Sequence, residues 1–426
     1  MRKRFMLFAM LVLLVAVFAA CRSVEDTDDG GAVAPDTTDV ADADTSDADA
    51  DADVADDADT DDADAEEEAP DGAELVTAGD WVIGIITGTV TQGEEEYLAS
   101  TRMEERFGSH RIVRTTYPDL FGPEMETTIA NILWLVDQGA QAIVMVQAVP
   151  GIIPAIQQIR EDNPDLLLFT GVTHDPPWDI AAHADVAVIS DDLNVGPVIA
   201  QQAYDMGATV MAHISFPRHL GMENIAIRRQ RMYDKARELG MEWLEITAPD
   251  PSTETITVAQ QFIMEEIPRI IEEHGRTVAF FSTNCGMQEP LITQIIAYGG
   301  FYPLQCCPSP FHALPSAFNI DLEGRDGDVE FVLEQLQSAV TAAGANGRIS
   351  TWPVPVNMLL IEVGVEYAIA HLEGRLEARH DTVALNRIFN EVAQRYGGEG
   401  IALSNWEDDE GTIINFYLMM SDFINF

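Results

Sequence analysis

From Asp80 onward, apolar residues gather into short runs separated by longer stretches in which they recur at helical spacing. The runs DWVIGIIT (80–87), HRIVRTTY (110–117), AQAIVMVQ (140–147), DLLLFTGV (165–172) and ADVAVIS (184–190) are nearly continuous rather than alternating, as expected of strands buried on both faces. Between them lie the helix-patterned EEEYLASTRMEERF, GPEMETTIANILWLVDQG and GIIPAIQQIRED. The alternation resumes with a helix at 193–206, ATVMAHIS (208–215), a long helix ending at Leu239, EWLEIT (242–247), a helix at 256–274, TVAFFST (277–283), a helix at 288–298 and YPLQCC (302–307). Helices at 327–344 and 355–372 flank a strand at RISTWPV. Strand, helix, strand at this spacing predicts an α/β protein with parallel sheets and right-handed crossovers. A region of roughly 350 residues exceeds what one core comfortably serves, so two lobes are expected. The predicted division gives 79–190 and 308–354 to the first lobe, and 191–307 and 355–426 to the second. The final residues, ending TIINFYLMMSDFINF, are apolar enough to need a packing partner.

Charge changes the picture at the N-terminus. The chain carries 72 acidic and 23 basic residues, a formal net charge of −49. Residues 21–78 form a low-complexity Ala/Asp/Thr tract, with 23 acids and the single base Arg22 between 22 and 78. Having no aromatic and few large aliphatic residues, it cannot bury enough surface to offset chain entropy, so a solvated acidic linker is expected. A cation-binding tail is the competing reading. The region from 79 onward still carries a net charge of about −30. Nucleic acid is therefore an unsuitable partner, because phosphate binding needs clustered Lys and Arg.

Upstream of the tract, Arg2, Lys3 and Arg4 precede an uncharged stretch from Phe5 to Ala20. At about 16 residues it is shorter than the ~20 a spanning helix needs, and it reads as a signal peptide over 1–20. Phe18-Ala19-Ala20-Cys21 resembles the bacterial lipoprotein processing site, which implies lipidation of Cys21. An ordinary signal peptide or an uncleaved anchor is the alternative. The resemblance implies an extracytoplasmic, membrane-anchored location, at a periplasmic or cell-surface membrane.

The segments WVIGIITGTVTQGEEEYLASTRMEE, ISDDLNVGPVIAQQAYDMG, AIRRQRMYDKARELGM, FFSTNCGMQEPLITQIIAYG, FVLEQLQSAVTAAG and VGVEYAIAHLEGR resemble, in order, elements of the type I periplasmic solute-binding proteins. More closely, the whole chain looks like an uncharacterised bacterial lipoprotein family within that superfamily. The resemblance implies two Rossmann-like lobes joined by hinge strands, with a small polar organic ligand captured between them by a monomer. It also implies delivery to an ABC permease; the alternative is a ligand-sensing lipoprotein feeding a membrane sensor. A second alternative is a hydrolase using His174 and Asp175 as an acid/base pair. The chain has no GxSxG, P-loop or glycine-rich dinucleotide loop to support catalysis or a cofactor.

Ligands of open α/β sheets sit at the carboxyl ends of the strands, which nominates the cleft residues. Thr87, Thr89 and Gln92 follow the first strand, Gln147 the third, and Thr173, His174, Asp175 and Trp178 the fourth. This last loop combines an imidazole, a carboxylate and an indole, although a Pro-stiffened structural turn is the plainer reading. Asp191 and Asp192 follow the fifth strand, where capping of the next helix is an equal alternative. Phe216, Arg218 and His219 follow ATVMAHIS. Arg228 and Arg231 are similar in placement to the family's ligand-contacting arginine, with ion pairing as the alternative. Asn284 matches the family's Asn. The adjacent Asp of sugar receptors is replaced by Cys285, for which Gln288 could compensate.

Cys285, Cys306 and Cys307 end two strands. If those strands are neighbours, Cys285 is placed to bridge to Cys306 or Cys307; three buried thiols are the alternative. No CxxC or HExxH spacing exists, and vicinal cysteines chelate one ion poorly, so no metal site is expected.

Overall fold

The computed structural model describes residues 79–325, 327–397 and 401–426. The expected signal peptide, Cys21 and the acidic linker lie outside the described residues. Five βα steps open the chain: β1 (Ile83–Thr87), α1 (Val90–Phe107), β2 (Ile112–Thr116), α2 (Met125–Asp137), β3 (Ala142–Val146), α3 (Ile152–Asp162), β4 (Leu167–Gly171), α4 (Pro177–Ala181), β5 (Val186–Ser190) and α5 (Val195–Asp205). A second series follows with β6 (Val210–Ser215), α6 (Pro217–Leu220), α7 (Glu223–Glu238), β7 (Glu242–Thr247), α8 (Ile256–His274), β8 (Val278–Ser282) and α9 (Gln288–Tyr298). The remainder comprises α10 (Leu314–Phe318), α11 (Val329–Ala342), β9 (Ser350–Thr351), α12 (Val356–Leu372), α13 (Thr382–Arg395), β10 (Ala402–Asp408), β11 (Gly411–Met420) and β12 (Ile424–Asn425).

These strands form two main sheets. The first has the order β10-β11-β5-β4-β3-β1-β2 and is parallel except for the β10–β11 hairpin. The second has the order β7-β6-β8 and is all parallel. It is extended by bridges from Ala279 to Phe301 and from Tyr302 to Ile349. A short antiparallel pair, β12 with β9, lies beyond. Strands β1, β3, β4, β5, β6 and β8 are buried throughout, as their unbroken apolar runs predict. Strands β2 and β7 are only partly buried because they close the edges of their sheets, which corrects the two-sided burial expected of HRIVRTTY. YPLQCC forms a single bridge and then loops, leaving its cysteines outside regular structure.

The expected division of the C-terminal third is reversed. Helix α12 packs on α1, β3 and β4, α13 packs on α12, and β11 pairs with β5, so 355–420 belongs to the first lobe. The segment 301–351 instead belongs to the second lobe, through Phe301, Tyr302 and Ile349 and through α10 beside α9 and α11 beside α10. The chain then returns at β12 to pair with β9. Helix α12 is buried on nearly all sides because it fills the face of the first sheet under α1 and α13, which explains its unbroken hydrophobicity. Among the described residues no helix is long and apolar enough to cross a membrane.

Candidate functional site

The carboxyl ends of both parallel sheets converge on one cavity of about 70 Å³, joined at Gln92, Gln147 and Cys285 to a wider annex of about 260 Å³. Two strand ends of the first lobe leave their sheet in the left-handed region, at Gln147 (φ 56°) and Val172 (φ 50°). Such a conformation is uncommon for any non-glycine residue and costly for a β-branched one, so the surrounding fold must hold it in place. Both residues line the cavity. The Gln147 side chain donates through Nε2 to the Gln92 carbonyl at 2.8 Å, and Gln92 Nε2 donates to the Asp119 carbonyl at 3.3 Å.

Opposite them, the second lobe presents Asn224, Arg228, Thr283, Asn284 and the three cysteines. Arg228 is buried and ion-paired with Asp192, whose other carboxylate oxygen accepts from Asn224 Nδ2 at 2.7 Å. Its guanidinium also lies 5.1 Å from the Phe281 ring centroid. The charge that an anionic ligand would need is thus already compensated. Arg228 Nε and Asn284 Oδ1 have no hydrogen-bond partner, leaving one donor and one acceptor at this wall.

His174 reaches across to the second lobe. Its Nδ1 is 3.4 Å from Arg218 Nη1, and its ring packs edge-on against Phe121 and His219, with centroids 5.6 and 6.0 Å away. Burial, and then the adjacent Arg218 charge, push its pKa down to about 3, so the imidazole is neutral at ordinary pH. Arg218 is held by a two-pronged pair with Asp250, at 2.8 and 3.1 Å, and lies 5.2 Å from the Phe121 ring centroid. Asp175 makes no hydrogen bond to this imidazole: its backbone N–H donates to Thr173 Oγ1 at 3.2 Å, and Oδ2 finds no partner. Burial raises its pKa to about 6, with the Asp179 charge adding to the rise. The two side chains are not hydrogen-bonded to one another.

The annex is acidic. Glu94, Glu95, Glu96 and Glu289 line it with Gln260, His312 and Asn357, and among the described residues no Lys or Arg does so. Asn357 Nδ2 donates to Glu96 Oε2 at 2.9 Å, whereas Glu96 Oε1 and Asn357 Oδ1 are unpartnered. Burial lifts the Glu96 carboxyl to about 7 and drives Glu95, whose two carboxylate oxygens have no hydrogen-bond partner, well above its usual range. This acid-rich turn depends on Gly93, whose φ of −159° and ψ of 59° interrupt the helical conformation of α1.

Of the residues nominated from sequence, Gln92, Gln147, Thr173, His174, Asp192, His219, Arg228, Asn284 and the three cysteines line the cavity. The others have different duties. Thr87 donates to the Gly88 carbonyl at 2.9 Å, and Thr89 donates to Asp119. Asp191 accepts from the Asn194 backbone N–H at 3.0 Å in the turn that leads into α5, whose cap position is Asn194. Phe216 is fully buried under His219, with centroids 4.1 Å apart. Gln288 is a strut that donates to the carbonyls of Ser282 and Asn284 at 3.2 and 2.7 Å and accepts from Tyr302. Trp178 is drawn to the β10–β11 hairpin, where its indole N–H donates to Asp408 at 2.8 Å. Phe121, Met222, Asn224 and the glutamates of α1 join the site without having been nominated. The EEE run carried the only readable signal among them, and its helical pattern masked it. The cysteines lie in loops beyond neighbouring strand segments and are three free thiols, with Cys285 Sγ 3.3 Å from Cys306 Sγ and 3.4 Å from Cys307 Sγ.

Two parallel sheets of this connectivity, with three chain passages between them and a cavity at the strand ends, define the fold of the type I periplasmic binding proteins. The chain belongs to the family described as "Protein of unknown function (DUF3798)", whose model matches residues 81–350. Two relatives from Treponema pallidum (strain Nichols), each described as "Uncharacterized protein", are similar to it. One is 34% identical over 165 residues, spanning 38% of this chain and 76% of its own; the other is 33% identical over 180 residues, spanning 41% and 81%. A crystal structure described as a "Putative transcriptional regulator" from Clostridium difficile 630 superposes with a TM-score of 0.64. That match has 19% identity and covers 82% of this chain and 100% of that one, a likeness of fold.

Proposed function

We propose that the protein is an extracytoplasmic, lipid-anchored receptor that captures a small polar solute between its lobes and presents it to an ABC permease. One observation carries this reading: a cavity at the carboxyl ends of two parallel sheets, lined from one side by Gln147 and His174 and from the other by Arg228 and Asn284. Hydrogen-bonding groups facing one another across such a cleft can be satisfied together only by a guest, or by water, that touches both lobes. The anchor would be the lipidated Cys21, and the acidic tract would hold the lobes away from the bilayer.

The polarity of the walls narrows the guest to one rich in hydrogen-bond donors or carrying positive charge. Arg228 is neutralised by Asp192, whereas four glutamates border the annex with no Lys or Arg beside them among the described residues. Thermal denaturation against a panel of amines, polyols and carboxylates tests the reading. A ligand present at 100 times its dissociation constant adds about 2.7 kcal/mol of stability. Stabilisation by an amine or polyol is expected, and a response confined to carboxylates would refute the assignment of polarity.

A further inference from the structure

We propose that the sulfurs of Cys285, Cys306 and Cys307 form a binding site for a single thiophilic d10 cation, such as Zn²⁺ or Cu⁺, in the wall of the interlobe cavity. The three sulfurs lie within 4.8 Å of one another, and two of the separations are 3.3 and 3.4 Å. Sulfurs bound to one zinc ion at about 2.3 Å stand roughly 3.8 Å apart in tetrahedral geometry. Movements of about half an ångström, within the reach of χ1 adjustments, therefore convert the cluster into three ligands of one ion. The objection that adjacent cysteines diverge does not apply, because the loop after Tyr302 turns both sulfurs toward Cys285.

The surroundings support a site as well as a cluster. Gln288 Nε2 lies 3.4 Å from Cys306 Sγ and is itself tied to the carbonyls of Ser282 and Asn284, so an N–H donor on a braced side chain supports that sulfur. His312 Nδ1 lies 2.8 Å from the Cys307 carbonyl and steadies the loop. All three cysteines line the cavity, so a fourth coordination position would open into it, the arrangement of metal sites that keep one position for an exchangeable ligand. Soft thiolate donors select cations of this class over the hard ions preferred by carboxylates. Binding converts thiols to thiolates and releases their protons to solvent, with no change of oxidation state.

The test uses the full chain, reduced and freed of metal, titrated with Cd²⁺ without any organic solute, so that it stands or falls separately from the receptor reading. The expected result is a sulfur-to-metal absorption band in the ultraviolet that saturates at one equivalent. Cys285, Cys306 and Cys307 should together be protected from alkylation, with Cys21 read separately by peptide mass mapping. Cys285→Ser and Cys307→Ser, each checked for folding by circular dichroism, should weaken binding by at least about tenfold. If a variant fails to fold, the alkylation pattern of the unsubstituted chain decides alone. No saturable band, unchanged alkylation at the three positions, or a disulfide that fixes Cys285 to either neighbour under these reducing conditions would overturn the proposal.

Discussion

Glu96 Oε1 occupies the space that a side chain on Gly93 would need: a Cβ built there would lie 1.7 Å from that oxygen and 3.1 Å from Gln147 Nε2. The missing side chain lets the buried carboxylate fold back against the first turn of α1, beside the glutamine that ends β3. Glu96 is fully buried and held by Asn357, so it cannot swing into solvent. Gly93→Ala should therefore destabilise the protein by about 1–3 kcal/mol, the usual cost of overpacking. Urea unfolding measures the loss, and a neutral result would show that the carboxylate relocates freely.

Glu96 also makes stability depend on pH. Its folded pKa of about 7 lies above the ordinary 4.5, so the folded state holds the proton more tightly. This contribution is complete below about pH 4.5 and is lost as pH rises through 7. Glu96→Gln should flatten that slope, leaving the unliganded protein similar to the parent near pH 4 and more stable by about 1–3 kcal/mol at pH 8. Thermal unfolding across that range reads the difference. A cationic guest should bind the parent more tightly at pH 8 than at pH 6, because the carboxylate it neutralises is then ionised.

Arg218 links the lobes at the cavity rim. It is clamped by Asp250 in the second lobe and lies against Phe121 and His174 of the first. Arg218→Ala should remove about 1–2 kcal/mol of closure-specific contact and shift the population toward open forms. Small-angle scattering should then show a larger radius of gyration than for the parent. An unchanged radius in unliganded protein would mean that other contacts hold the lobes together.

Arg228 tests whether the buried ion pair is structural as well as site-forming. Removing one member of a buried pair strands the other, at a cost of about 3–5 kcal/mol. Arg228→Ala should approach that loss, because Asp192 is equally buried and retains only Asn224 as a side-chain partner. Adding Asp192→Asn should recover part of it, as chemical denaturation of the single and double variants would show.

Much of the fold was legible because its central strands are buried on both faces, and their apolar runs say so. The passages between lobes were not. Pro353 and Pro355 mark where the chain leaves the second lobe, but a crossing leaves no periodic signal, and 308–351 and the elements from α12 to β11 were expected in the opposite lobes. Strand ends pointed to Gln92, Gln147, His174 and Asn284, and the family resemblance to Arg228, all of which line the cavity. The same reasoning failed at Trp178 because its partner, Asp408, is 230 residues away in a hairpin that pairs with β5. Phe121 and Asn224 were missed for a similar reason: each reaches the cavity from beyond a strand end.

The account turns on a guest held between the lobes, and mass spectrometry of small molecules released by denaturing the purified chain addresses it most directly. The result predicted is one donor-rich or cationic compound near one equivalent per chain, sharply reduced when Gln147 and Asn284 are both replaced by alanine. Equal recovery from that folded double variant, or a chain that carries no such compound and is stabilised by none, would contradict it.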